Sequence, residues 1–383
     1  MKIFTASTTV AKIAMIRQPK SLQQIIEICQ NAGFISGKVQ NNWVKNVQFL
    51  PFGSLLSQNI LNEWHNVDRN VNIYFQRDGS TRPGTADSLT YYRNRELHTK
   101  IDLIKKHFDF EIPFGVAENL IDTSTDETVA ENDVGFDIKG KTLLSCSYFI
   151  DANESNEMFY KIQRQRKIWW MKFAANPGRF FMSDLRTDSI NEQAMQTVSV
   201  KSKFPFGNIE LEKLELIPYR CFSPKLKFLD ELKKITATTP NIIRSSMVLE
   251  SGTLATLIDA VDTGTSTEIS FHRKIAPYQC SIIVTVTDQS NQPELHDLAK
   301  YVASMLRRSN ISTLNAPKCF VTGTDALNQA LREMDNIGVP YGLLLDEVSL
   351  KNGLIQLRNR DTTISETIHL SDVPDYLLKI FRS

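Results

Sequence analysis

The 383-residue sequence has few cysteines, almost no net charge and no long apolar run. Its five cysteines, Cys29, Cys146, Cys221, Cys280 and Cys319, are widely spaced, odd in number and never arranged as CxxC. That pattern excludes a disulfide framework and a zinc ribbon, and fits a reducing compartment. The six histidines are scattered, with no HExxH or HxH, so no metal and no other cofactor is expected. No apolar run reaches the roughly 18 residues that a membrane-spanning helix needs, and no membrane partner is expected. The 44 basic and 43 acidic side chains leave a net charge of +1. A chain so balanced does not coat nucleic acid by bulk electrostatics, and any such contact must be a local patch.

What is present is the composition of a folded chain, 42% hydrophobic and 23% charged, with length for two or three domains at about 150 residues each. The first twenty residues depart from this average. They carry Lys2, Lys12, Arg17 and Lys20, with no acid before Glu27. Ile3, Val10, Ile13, Ala14 and Ile16 can line one side of a helix there. This is the composition of a mitochondrial transit peptide, and residues 1–20 are set apart from the fold. Without those four cations the charge falls from +1 to −3, so the remaining chain is not expected to hold DNA by itself.

From Ser21 to about Ile60 the pattern reads as helical at first, with Leu22, Ile25, Ile26 and Cys29 on one face and Gly33 as a stop. Pro51, Phe52 and Gly53 read as a turn before a second amphipathic stretch, Leu55 to Trp64, and Val71 to Phe75 alternates like a strand. Residues 77–88 read as a loop. The stretch from Asp122 to Glu157 is acidic around a β-prone core, Thr142 to Phe149, and the next thirty residues are basic. Within them, Glu157 to Ala174 is the clearest helix, with Phe159, Ile162, Trp169, Trp170 and Phe173 on one broad face and Lys161, Arg164, Lys167 and Lys172 opposite. Arg166 falls inside the aromatic face. It is either stacked on a tryptophan or paired with a carboxylate across the core, or it is the remnant of a substrate-binding arginine.

After a polar linker, Asp259 to Glu268, the grammar changes. Strands are expected at Gln279–Val286, Ile311–Leu314, Tyr341–Leu345 and Leu354–Arg358, the last entered by a turn at Asn352 and Gly353. Helices are expected at Pro293–Arg308, Asp325–Met334 and Pro374–Phe381. Such alternation is one compact α/β domain.

The segments Ile275–Gln279, Ile337–Tyr341 and Asn352–Thr362 resemble, in this order, the anticodon-binding domain of class II aminoacyl-tRNA synthetases of the glycyl, threonyl and prolyl group. A working synthetase would also need a Gly-rich segment ending in an arginine that clamps ATP phosphates. The corresponding stretch here, residues 248–258, has one glycine and no arginine, so adenylate chemistry is not expected.

Nearly the whole chain resembles a synthetase-derived family without that chemistry, the accessory subunit of mitochondrial DNA polymerase gamma. The marks are Glu27–Gly37, Ile112–Gly115, Trp169–Pro177, Phe204–Gly207, Phe271–Lys274 and Asn352–Thr363. The resemblance implies a degenerate class II synthetase-like α+β domain at 21–262, an antiparallel sheet with helices. It implies an α/β anticodon-binding-like domain with a mixed five-stranded sheet at 268–383. It further implies a non-enzymatic processivity subunit of the mitochondrial matrix and nucleoid, docked on the catalytic subunit mostly through the C-terminal domain and tightening its grip on primer-template DNA.

In vertebrate members of that family a long helical insertion joins two accessory subunits. Here Ala86 to Phe110 leaves room for a single helix at roughly 1.5 Å per residue, so a 1:1 heterodimer is expected and a homodimer is not. The expected docking residues are Tyr341, Leu354, Ile355, Leu357, Arg358 and Arg360, with Gly353 holding the turn; period two sends half of the apolar ones inward. Arg358 and Arg360 are expected on one face, either binding an anionic partner or bridged to Asp361. The expected DNA-contacting residues are Lys161, Arg164, Lys167, Lys172, Lys201 and Lys203. Two rival readings are an active glycyl-type synthetase and a synthetase-derived tRNA-binding module.

Overall fold

The computed structural model describes residues 19–66, 71–82, 112–122, 133–190, 193–218, 228–229, 235–236, 240–264, 267–314 and 320–382. Residues 1–18, which hold most of the expected transit segment, the Ala86–Phe110 interval and much of the acidic tract lie outside them.

The first helix, α1 (Leu22–Asn31), buries the expected face of Leu22, Ile25, Ile26 and Cys29. Its start is a capping box. Ser21 Oγ accepts from the Gln24 amide, and Gln24 Oε1 accepts from the Ser21 amide. The helical reading fails beyond it, because β1 (Ile35–Gln40) and β2 (Trp43–Phe49) form an antiparallel hairpin. Helix α2 (Pro51–His65) begins two residues later. Pro51, Phe52 and Gly53 are its first turn and not a separate one, since proline lacks an N–H that the first helical turn cannot use anyway.

A large sheet follows in the order β3 (Asn72–Arg82), β4 (Phe114–Asp122), β6 (Lys141–Ile150), β13 (Asn241–Val248), β10 (Gly207–Pro218), β9 (Gln193–Phe204), β7 (Phe180–Met182). Strand β8 (Arg186–Ile190) also pairs with β9. Every pairing is antiparallel except β3 with β4. Strand β3 runs through Arg82, into the stretch read as a loop. The short β5 (Gly135–Ile138) joins β2 in parallel, and β11 (Phe228–Leu229) pairs with β12 (Ile235–Thr236).

Register gives this sheet two unlike faces. Leu214, Ser245, Cys146 and Ala117 are aligned across it, and so are the adjacent Glu215, Arg244, Ser147 and Val116, whose side chains point the other way. The first face packs into a core with α3 (Ser155–Phe173) and α4 (Leu249–Thr263). Leu254, Leu257, Ile258 and Val261 of α4 are wholly buried there, each worth about 2 kcal/mol.

The second sheet runs β15 (Thr313–Leu314), β14 (Cys280–Thr285), β17 (Tyr341–Leu345), β18 (Leu354–Asn359), β19 (Ser365–His369), with the two-residue β16 (Phe320–Val321) also beside β14. The first pairs are parallel and the last two antiparallel, giving the mixed sheet expected, with β16 as an addition. Helices α5 (Gln292–Arg308) and α8 (Val373–Arg382) share one core with it, and α6 (Thr324–Ile337) packs into another. The short α7 (Glu347–Asn352), capped by Asp346, was not legible in the sequence. Gly353 therefore ends a helix instead of closing a hairpin. Its φ of +67° and the 2.8 Å from a hypothetical Cβ to His369 Nε2 explain the glycine.

Ile269, Phe271, Ile275 and Ala276, in the segment leading to β14, belong to the core of the first sheet. Lys20 also belongs to the folded body, its Nζ donating to Val261 O at 2.6 Å and Gly264 O at 3.2 Å, at the end of α4.

Candidate functional site

Three regions bear on function: the outer side of β18, the outer face of α3, and the two faces of the large sheet. On β18 the inward residues are Ile355 and Leu357, both in the core with α5 and α8. Tyr341 is buried too, its ring against Phe381. Leu354 points outward and is exposed. Arg358 is buried and gives both Nη atoms to Asp335 of α6, at 2.9 and 2.8 Å. Arg360 lies past the strand end, where alternation no longer applies. It is buried, donating to Gly338 O and Phe271 O at 2.8 Å each and to Asp361 Oδ1. Of the expected docking set, then, the side chains of Tyr341, Ile355, Leu357, Arg358 and Arg360 are structural, and Leu354 beside Gly353 remains at the surface. Val348, Ile364 and Tyr376 are also exposed on this domain: Val348 on α7, which the sequence does not announce, Ile364 just before β19, and Tyr376 on the expected helix α8.

Helix α3 divides as its periodicity says. Phe159, Ile162, Arg166, Trp170 and Phe173 are buried, whereas Lys161, Arg164 and Lys172 are exposed and Lys167 is half-buried. Tyr160 and Ile168, 59% and 57% exposed, interleave with those cations. Lys203 is exposed, but Lys201 is not available to DNA. It is half-buried, 2.8 Å from Asp133 and 3.7 Å from Glu210.

Arg166 satisfies both structural alternatives. Its Nε lies 2.6 Å from Glu212 Oε1, and its guanidinium sits 4.6 Å over the Trp169 ring. Glu212 also accepts from Trp170 Nε1 at 2.8 Å and from Ser245 Oγ. The cavity beside this cluster, lined by Trp64, His65, Phe75, Cys146, Tyr148 and Ser245 among others, is only about 20 Å³. That is space for about one water, against the ~300 Å³ or more of a typical ligand site. Burial pushes the Cys146 thiol up to about 12, so it is no nucleophile.

The opposite sheet face carries a larger cavity of about 390 Å³, with Thr197, Ser199, Lys201 and Lys213 on its wall and Arg186 among its lining. Its lysines are already matched, Lys201 by Asp133 and Lys213 by Glu215 at 2.7 Å. At the strand-to-helix junction where the resemblance would place a phosphate clamp, the first turn of α4 holds Glu250, whose Oε2 accepts from the Thr142 amide at 2.8 Å. Burial raises the pKa of this carboxyl. The stretch 248–258 carries no arginine to clamp a phosphate, and this carboxylate is spent on a backbone amide. Among the described residues no group of three His, Cys, Asp or Glu could hold a metal ion, and no helix is long and apolar enough to cross a membrane.

Comparison with known proteins agrees with this division. Residues 279–380 match the family described as the anticodon binding domain. The chain is 36% identical over 254 residues to the mitochondrial DNA polymerase subunit gamma-2 of Drosophila melanogaster, an alignment covering 65% of this chain and 70% of that protein. It is 29% identical to the Xenopus laevis subunit over 76% of this chain and 63% of the relative. It is 24% identical to the glycine–tRNA ligase of Borrelia hermsii over 77% of this chain and 65% of that enzyme. The chain thus spans about three-fifths of its vertebrate relatives. With no arginine in the stretch where a synthetase would clamp phosphates, and with that likeness to the fly subunit, the chain belongs to the DNA polymerase subunit gamma-2 family.

Proposed function

We propose that the chain is the non-catalytic accessory subunit of a mitochondrial DNA polymerase, binding the catalytic subunit as a 1:1 heterodimer and slowing its release from primer-template DNA. The likeness to the fly subunit over most of both chains carries the reading. The matched lysines of the 390 Å³ cavity, the 20 Å³ of the cavity beside Arg166 and the lack of an arginine in 248–258 support the non-catalytic part of the reading. In physical terms, a partner that binds the DNA-engaged polymerase better than the free one lowers the rate of dissociation, and that is processivity.

The docking surface lies on the C-terminal domain around Leu354, with the exposed Val348, Ile364 and Tyr376 as further apolar contacts. Lys161, Arg164, Lys172 and Lys203 are the DNA-facing candidates that are exposed. The test is primer extension by the catalytic subunit with and without this chain at moderate salt. Longer products with the chain are expected; unchanged product length refutes the proposal. Amino-acid-dependent ATP–pyrophosphate exchange by the purified chain would instead establish a synthetase, and light scattering of the complex checks the 1:1 ratio.

A further inference from the structure

A cluster of buried polar groups lies at the junction of the C-terminal domain with the first sheet. Helix α6 ends at Gly338, whose φ is +81°, and a Cβ there would stand 2.5 Å from the Phe271 ring. Phe271, 2% exposed, also packs on Phe34, which leads into β1, at 5.5 Å between ring centroids. Its carbonyl receives Arg360 Nη2, while Nη1 of the same guanidinium holds Gly338 O. One planar cation thus ties the connecting segment to the end of α6. Beside it Asp335 holds both Nη atoms of Arg358 through its carboxylate, and through its carbonyl it accepts from the Ile269 amide at 3.2 Å. Thr267 Oγ1 to Asn336 Oδ1 and Lys274 Nζ to Arg382 O extend the seam. From the other side, Asn59 Nδ2 holds Ala276 O at 2.8 Å.

We propose that Arg358 and Arg360 are positioning residues for docking: they lock the segment 267–276 between the two sheets, and so fix the angle at which the α3 face and the Leu354 surface meet a partner. This rests on the accessory-subunit reading. Planar, multi-donor arginine suits the task, since lysine offers a point charge that cannot satisfy three acceptors in fixed directions. Neither guanidinium needs to touch the partner. The lock acts because a partner that bridges two surfaces binds only the fraction of molecules in which both are in place.

Hydrogen exchange on the full chain tests the lock, and affinity for the catalytic subunit tests its consequence. In Arg360→Gln, exchange of the Ile269 and Ser270 amides should rise at least tenfold, with β13 and β14 amides unchanged, and the dissociation constant should rise about tenfold. Arg360→Lys, keeping the charge on a single donor nitrogen, should fall between. Should Arg360→Gln also loosen β13 and β14, the lysine variant decides. Wild-type exchange at Ile269 overturns the lock, and raised exchange with wild-type affinity overturns the positioning role. Failure of the wild-type chain to bind the catalytic subunit would refute the accessory reading while leaving the exchange result standing.

Discussion

Glu212 is 1% exposed and accepts from three side chains, Arg166, Trp170 and Ser245. Removing a buried pair's one partner leaves the other charge uncompensated, at a cost of about 3 to 5 kcal/mol. Glu212→Ala should therefore lower the unfolding free energy read from denaturant titration by that much, while the double change Glu212→Leu with Arg166→Met should recover most of the loss. A cost below 1 kcal/mol for Glu212→Ala would mean the cluster does not hold the sheet to α3. The placement of Arg166 was legible in part, because a cation at a core position of an aromatic face demands a partner. Which partner was not legible: Glu212 is 46 residues away and reads as one more charge in an alternating strand. The same holds for Arg358, whose partner Asp335 lies on a helix, and for the Gly338 and Phe271 carbonyls held by Arg360; its third partner, Asp361, is the one the sequence offers. Period two says which residues share a face; it says nothing about whether a helix covers that face.

At the scale of elements, helices with a clear apolar stripe were read correctly, as α1 and α5 show, because periodicity is a local signal. Strands β1, β2 and β19 were missed since each buries few residues and β19 is nearly all exposed. Gly353 belongs to this scale, as the stop of α7 and the start of β18. Gly353→Ala should cost about 1 to 2 kcal/mol, and Gly353→Asn less, because a left-handed backbone penalises Cβ and asparagine tolerates it best. Thermal denaturation of both variants checks the order; equal stability for alanine and wild type would contradict the strained cap. Helix α3 offers a functional test. If its outer cations meet duplex phosphates in the holoenzyme, changing Lys161, Arg164 and Lys172 to alanine should flatten the plot of log affinity against log salt by about 0.9 per lost contact, or about 2 to 3 in all. An unchanged slope assigns this face, with Tyr160 and Ile168 exposed on it, to protein contact alone.

For the whole molecule, the junction between the sheets carries a pH dependence. His272 stacks edge-on against Phe173, and burial together with Arg273, Lys172 and Lys274 pulls its pKa down to about 4. An unfolded histidine titrates near 6.5, so the folded state binds fewer protons between those values. Its contribution is complete above pH 6.5 and is lost as pH falls toward 4. Asp259 opposes it. Burial raises this carboxyl to about 6 despite the amides of Ala175 and Asn176 and the Arg179 guanidinium, so its contribution is present below pH 3.8 and is lost as pH rises through 6. The stability gap between wild type and His272→Gln should therefore shrink on acidification from pH 6.5 to 4. Urea titrations across that range would show a constant gap if His272 were not held neutral.

Strand β13, residues 241–248, lies between β6 and β10. Lys20, at the other end of this body, donates to Val261, 241 residues further on. During synthesis the sheet must wait with its middle open until β13 has left the ribosome, its flanking strands already complete and their ladder groups unpaired. A growing chain in that state presents two receptive edges at once, so this half of the molecule depends on being shielded until its last strand arrives.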